Sequence, residues 1–284
     1  MILIADSGST KTDWILINSN KEIVCQTTTK GLNPSVFSES DLYKTITSNT
    51  EVIDHVKDVQ YIYFYGAGCG TETPKKVLSG VLAEVFESAE ITVKEDSYAA
   101  AYAVSEGKPG IVCILGTGSN CSYFDGKEEL ISKIPSLGYI LMDDASGNYF
   151  GKILLQDYFY KKMPKKLYEK FQKAYNLYPD DVKLNLYKKG NPNSYLASFA
   201  SFLITHKNEP YCSEIIKKGF SDFIEHQITQ YDRVYDLPIH FVGSIAYLLQ
   251  DELKSALKSF RLNSGNFIQK PIDNLVVYHF KKLR

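Results

Sequence analysis

The sequence predicts an α/β protein built as two similar lobes around a central cleft. Apolar runs at residues 2–6 and 14–17 bracket a small polar stretch, Ser7-Gly8-Ser9-Thr10-Lys11-Thr12. The same order of strand, small polar loop and strand restarts at residues 111–124, around Gly116-Thr117-Gly118-Ser119. This is an internal structural repeat with weak sequence identity. The 284 residues are also too many for one small core and suit two domains of ordinary size.

Residues 2–6 and 14–17 read as a β-hairpin opening a sheet, and residues 22–28 alternate more weakly. Residues 39–49 have helical spacing through Leu42 and Ile46. Residues 61–65 form a strand closed by Gly66-Ala67-Gly68. Pro74 opens a helix to Phe86, with Val77, Val81, Leu82 and Val85 on one face. A short strand at 91–93 leads to Asp96 and an alanine-rich helix over 97–105. Lys108-Pro109-Gly110 is a turn that divides a first domain, 1–107, from a second, 108–284. Strands follow at 111–115 and 121–124, with a turn at Asp125-Gly126. Residues 150–235 are largely helical and rich in Tyr and Lys. A strand over 238–243, a helix over 245–258 and a terminal helix over 272–284 complete the chain. The terminal helix is free to return to the first domain.

Composition narrows the function classes. There are 32 basic and 33 acidic residues, so no basic excess points to nucleic acid. Lys161, Lys162, Lys165 and Lys166 cluster as a solvated helix face would. No apolar run approaches the roughly 20 residues that span a bilayer, and the start does not read as a signal peptide. The five cysteines are scattered without CxxC or Cys/His spacing, which speaks against structural zinc and for a reduced, cytoplasmic protein. The 21 tyrosines offer either a homodimer face or the core of the second domain.

The two polar loops carry the chemistry. Gly8, Ser9, Thr10, Lys11 and Thr12 combine small residues, which let backbone N–H groups approach an anion, with hydroxyl and amine donors. The spacing is not that of a Walker loop. Gly116, Thr117, Gly118 and Ser119 form the second such loop. Either loop alone reads equally as a plain turn; their pairing suggests a clamp over a polyphosphate. Asp6 at the first strand's end cannot face phosphate unless its charge is offset, as Mg²⁺ with its oxygen ligands and waters would do. Asp96 is either a helix cap or a base that accepts a sugar hydroxyl's proton. Asp143-Asp144 before a helix start is either a cap or an acceptor for sugar hydroxyls. Asn33, before Pro34, is either a turn residue or an amide that grips a ligand.

Taken in order, Asp6-x-Gly-x-Ser/Thr-x-Thr, Gly31-Leu32-Asn33-Pro34, Glu95-Asp96, Leu115 to Asn120 and Asp143-Asp144-x-Ser-Gly resemble the BadF/BadG/BcrA/BcrD-type ATPase family, and within it the N-acetylglucosamine kinases. The resemblance implies two ribonuclease-H-like, actin-like ATPase domains and an ATP-dependent amino-sugar kinase acting on a 6-hydroxyl. It implies that residues 8–12 and 116–119 bind ATP phosphates and that Asp6 sits near Mg²⁺ through water. It makes Asp96 the catalytic base, with Asn33, Asp96, Gly138 and Asp143 on the sugar, and Gly243 and Ser244 on the adenosine side.

Two departures fall on the sugar side. Where the kinases usually read Gly-Asp-Glu-Gly-Ser, this chain has Met142-Asp143-Asp144-Ala145-Ser146, and Leu137 stands in place of a sugar-bordering tryptophan. N-acetylmuramic acid kinases belong to the same family, and Leu137 is compatible with a larger sugar. Two other classes compete: an activator ATPase sharing an iron–sulfur cluster, which needs thiolate ligands, and a sugar sensor, which usually carries a helix-turn-helix segment.

Overall fold

The computed structural model describes residues 1–8 and 11–282; Ser9 and Thr10, two of the expected phosphate-loop residues, lie outside them. The chain divides into two units, Met1–Glu106 with Lys270–Arg284, and Gly107–Gln269. Each unit is built on one five-stranded sheet.

The first unit runs β1 (Ile2–Ser7), β2 (Lys11–Ile17), β3 (Ile23–Lys30), α1 (Glu39–Thr47), α2 (Thr50–Ile53), β4 (Tyr61–Gly66), α3 (Glu72–Val85), β5 (Glu90–Glu95) and α4 (Asp96–Val104). The sheet order is β3-β2-β1-β4-β5, with β1 to β3 an antiparallel meander and β4 and β5 parallel to β1. Leu3, Ala5, Trp14, Leu16, Ile62 and Phe64 pack one sheet face against Leu42, Ile46, Leu78 and Leu82 of the helices. The small side chains of α4 (Ala99, Ala100, Ala101, Ala103) are all buried, and the last helix, Ile272–Lys282, lies against α4 and β1. There Tyr278 stacks on Tyr102 at 4.3 Å and the Asn274 amide donates to the Ala103 carbonyl at 2.9 Å.

Two local readings differ from the sequence expectation. β1 and β2 extend into the polar stretch, pairing Ser7 with Thr12, so the turn is shorter than the hydroxyl-rich run suggests. The two hydroxyls tolerate burial because they bond each other at 2.7 Å. α3 begins at Glu72, ahead of Pro74, because a helix's first turn needs no N–H from proline. Leu78, absent from the expected apolar face, is fully buried, whereas Val77 and Val85 are only partly so.

The second unit runs β6 (Gly110–Leu115), β7 (Ser119–Phe124), β8 (Leu130–Ile131), α5 (Gly147–Phe159), α6 (Lys165–Tyr175), α7 (Pro179–Tyr187), α8 (Pro192–Ser198), α9 (Ala200–Thr205), α10 (Pro210–His226), β9 (Pro238–Val242), α11 (Ser244–Leu248), α12 (Gln250–Ser259) and β10 (Asn263–Ile268). Its order, β10-β9-β6-β7-β8, repeats that of the first sheet: a three-stranded antiparallel meander, then two strands parallel to its first. The short β8 and the polar β10 carry too little apolar patterning to have been read from sequence, and the helix expected over 245–258 is broken at Leu249 (φ −112°, ψ 28°). Tyr158 and Tyr231 are buried in this unit's core, while Tyr160, Tyr178 and Tyr187 are exposed.

Candidate active site

Parallel strands deliver their successor loops to one edge, and ligands of open α/β sheets bind at that carboxyl edge. In the first unit β1, β3, β4 and β5 all end there. Asp6 is the penultimate residue of β1, Asn33 follows β3, Gly66 to Gly68 end β4, and Glu95-Asp96 end β5 and start α4. Ser7 stitches two of these loops together. Its buried hydroxyl accepts from Leu32 N–H at 3.0 Å, and its carbonyl accepts from Ala67 N–H at 2.8 Å. Asn33 turns its own loop by accepting Ser35 N–H on Oδ1 at 2.9 Å. Gly68 lies against that amide with φ +81°, and a Cβ there would overlap Asn33 Oδ1.

The edge is acidic. Asp6 lies directly opposite Asp13 in the hairpin register, so the two carboxylates share one sheet face. Burial first, then the charges of Asp96 and Asp13, push the Asp6 carboxyl up to about 7, with Lys11 opposing. Burial and the neighbouring Glu95 push Asp96 up to about 6, although the N–H groups of Ser97 and of Asp96 itself stabilise its charge. Glu95 is held by the Ser97 hydroxyl at 3.0 Å. Of the loop residues expected to touch phosphate, Gly8 closes the turn by donating to Lys11 O at 3.0 Å. Thr12 is wholly buried, its hydroxyl near Ser7 and Lys30 O. The Lys11 ammonium is half-exposed and pairs with Asp13 at 2.8 Å. Asp13 was not singled out from sequence, because its role depends on the hairpin register.

In the second unit the β6–β7 loop is shaped by the start of α5. Gly147 N–H donates to Gly116 O at 2.8 Å and Asn148 N–H to Thr117 O at 3.0 Å. A trans peptide points its N–H opposite to its C=O. The N–H groups of Thr117 and Gly118 therefore face away from α5, and no acceptor among the described residues takes them. Two adjacent free amides on a partly exposed loop make an anion-binding nest. Asp143 is 8% exposed with φ +72°. Its Oδ1 accepts from Ser119 N–H at 3.3 Å and its Oδ2 from the Asn148 amide at 2.9 Å. Asp143 thus braces the loop, and its remaining lone pairs are open to a further donor.

Asp144 is paired instead with His226, Nδ1 to Oδ2, at 2.8 Å. Gly138 (φ +79°) has open space where a Cβ would be and follows the exposed Leu137. Gly243 (φ +119°) starts α11 ahead of Ser244; a side chain there would strike the Leu115 carbonyl, which keeps this turn tight against the start of the loop. Asn148 and Asp13 are the site residues the sequence reading missed.

The carboxylates of this edge suit a hard cation, because burial and neighbouring negative charge disfavour ionised Asp6 and a cation beside it would relieve that cost. No group of three ligating side chains that could hold a metal occurs among the described residues.

A doubled sheet of this order, with polar loops at the carboxyl edge, defines an actin-like ATPase fold of two domains, the fold of sugar kinases. Residues 5–132 match the BadF/BadG/BcrA/BcrD ATPase family. A crystal structure from Porphyromonas gingivalis, provisionally named an N-acetylglucosamine kinase, is 34% identical over 100% of both chains with a TM-score of 0.94. The chain belongs to the BadF/BadG/BcrA/BcrD ATPase family. A second provisionally named N-acetylglucosamine kinase, from Chromobacterium violaceum, is 17% identical over 98% of both chains, TM-score 0.72. A ROK family glucokinase from Streptomyces griseus, solved with glucose and AMPPNP, is 12% identical over 97% of both chains, TM-score 0.56. These last two share the fold. Among curated proteins none matches the chain. No helix among the described residues is long and apolar enough to cross a membrane.

Proposed function

We propose that this protein is an ATP-dependent kinase that phosphorylates the 6-hydroxyl of an N-acetylated hexosamine, N-acetylglucosamine in the first instance. The observation that carries the reading is Asp96. It is a carboxylate at the carboxyl edge of the sheet, at the head of a helix, with its pKa raised to about 6. Such a group is mostly ionised at neutral pH yet basic enough to accept a hydroxyl proton as attack proceeds. The family and the 34% identical relative support the same reading.

The amides of Thr117 and Gly118 donate to phosphate oxygens, with Gly116, Ser119 and residues 8–12 as the remaining phosphate-binding set. Gly243 and Ser244 border the adenosine. Asn33, Gly138 and Asp143 orient the sugar so that its hydroxyl meets Asp96. Asp6, through water, holds a Mg²⁺ ion that arrives with ATP and neutralises phosphate charge. Phosphoryl transfer of this kind is mostly positioning and charge stabilisation.

ADP release from ATP and Mg²⁺ should be measured with N-acetylglucosamine, N-acetylmuramic acid, N-acetylmannosamine, glucosamine and glucose, with the product mapped by phosphorus NMR. Strong stimulation by an N-acetylated hexosamine and a 6-phosphate product is the expected result. Hydrolysis independent of sugar would replace this reading with an activator ATPase, and no ADP at all would replace it with a sensor.

A further inference from the structure

The geometry points to Asn148 as a positioning residue for the nucleotide, one that sets the second phosphate loop without touching ATP itself. The inference rests on reading residues 116–119 as a phosphate loop.

Asn148 is 1% exposed, the second residue of α5, and every part of it is committed. Its backbone N–H holds Thr117 O at 3.0 Å. Its side-chain nitrogen donates to Asp143 Oδ2 at 2.9 Å, and its side-chain oxygen accepts from the Ser146 hydroxyl at 3.0 Å. Ser146 in turn caps α5 by accepting Tyr149 N–H at 3.2 Å. One amide therefore ties three features together: the carbonyl whose orientation turns the Thr117 and Gly118 N–H groups outward, the carboxylate that holds Ser119 N–H, and the cap of the helix beneath.

The site demands an amide. Asp143 sits in the left-handed region at φ +72°, where a non-glycine residue persists only if its surroundings hold it. A leucine at 148 would leave the buried Asp143 oxygen without its donor. An aspartate would set a second carboxylate against the first. Only a side chain with one donor and one acceptor can face Asp143 and Ser146 at once.

The test is a set of three variants of the full chain: Asn148→Ala, Asn148→Asp, and the exchange pair Asn148→Asp with Asp143→Asn. The exchange reverses donor and acceptor across the same contact and leaves the geometry available. Nucleotide affinity is read by calorimetry with AMPPNP and Mg²⁺, folding by circular dichroism, and both KM values where turnover permits. Asn148→Ala and Asn148→Asp should each lose roughly tenfold in nucleotide affinity, the scale of one buried hydrogen bond to a charged group. The exchange pair should recover most of the loss seen in Asn148→Asp. Folded single variants with wild-type affinity, or an exchange pair no better than Asn148→Asp, would overturn the role of Asn148. Wild-type protein that binds no nucleotide would instead overturn the phosphate-loop reading and this inference with it. If both singles fail to fold, the exchange pair decides alone: wild-type folding and affinity support the inference, and a folded pair with weakened affinity refutes it.

Discussion

Asp96 is the strongest charge acting on Asp6, although β4 lies between β1, which carries Asp6, and β5, which ends just before Asp96. The two carboxylates stand at the carboxyl ends of β5 and β1, and the raised pKa values of about 6 and about 7 mark an edge that is short of positive charge. A base and a cation-binding carboxylate need such an arrangement: one must accept a proton, and the other must hold a charge that only an incoming ion relieves.

Asp96→Asn should therefore lose about 10²- to 10⁴-fold in kcat, the usual contribution of a positioned base. AMPPNP binding should survive, because Asp96 belongs to neither phosphate loop and both are left intact. Single-turnover kinetics beside calorimetry would check both. Wild-type turnover would remove Asp96 from the mechanism.

The pH dependence has a definite sign. If Asp96 must be ionised, kcat/KM for the sugar should rise with pH through about 6 and level off above it. Stability should move the other way. The Asp6 carboxyl titrates near 7 in the folded chain against an ordinary 3.8, so the folded state retains a proton the unfolded state has lost. This group's contribution is full below 3.8 and disappears as pH rises through about 7. Asp6→Asn should raise Tm relative to wild type at pH 8 and leave it nearly unchanged at pH 3.5. Calorimetric scans at the two pH values, without Mg²⁺, would test this.

Gly68→Ala should act on the sugar alone. A methyl group at φ +81° is strained, and it would displace the Asn33 amide. The KM for sugar should rise several-fold while AMPPNP affinity holds. Equal losses in both would indicate general damage to the first unit.

The last helix is tied to β4 by a buried hydrogen bond whose loss should be measurable. Tyr65 Oη and His279 Nε2 are 2.9 Å apart, and the His279 ring stacks on Tyr63 at 3.9 Å. His279→Phe should cost about 1–3 kcal/mol by leaving the buried Tyr65 hydroxyl without its partner. Adding Tyr65→Phe should restore part of that loss. Urea unfolding of the single and double variants gives the coupling.

The sequence carried much of this molecule in plain form. The two hairpins, the Asp6 and Asp96 positions and the glycine-hydroxyl loops are local features: apolar runs end in polar turns whatever surrounds them. The strand restart at residue 111 already announced the doubled fold, and the sheets β3-β2-β1-β4-β5 and β10-β9-β6-β7-β8 display it as topology. Weakly patterned elements were not legible. β10 opens with a run of polar residues, Asn263 to Asn266, without the alternation of a half-buried strand, and it pairs along the edge of β9.

The order of motifs along the chain thus determined the fold class and the family. Tertiary structure alone decided which side chains meet. Asp13 faces Asp6 through a hairpin register. Asp143 reaches Ser119 across 24 residues of chain, and Asn148 reaches Asp143 because α5 starts beneath the loop. Period and composition report what one segment prefers. The free energy of a buried donor meeting a buried acceptor depends on two segments at once, and it exists only after the sheet has brought them together.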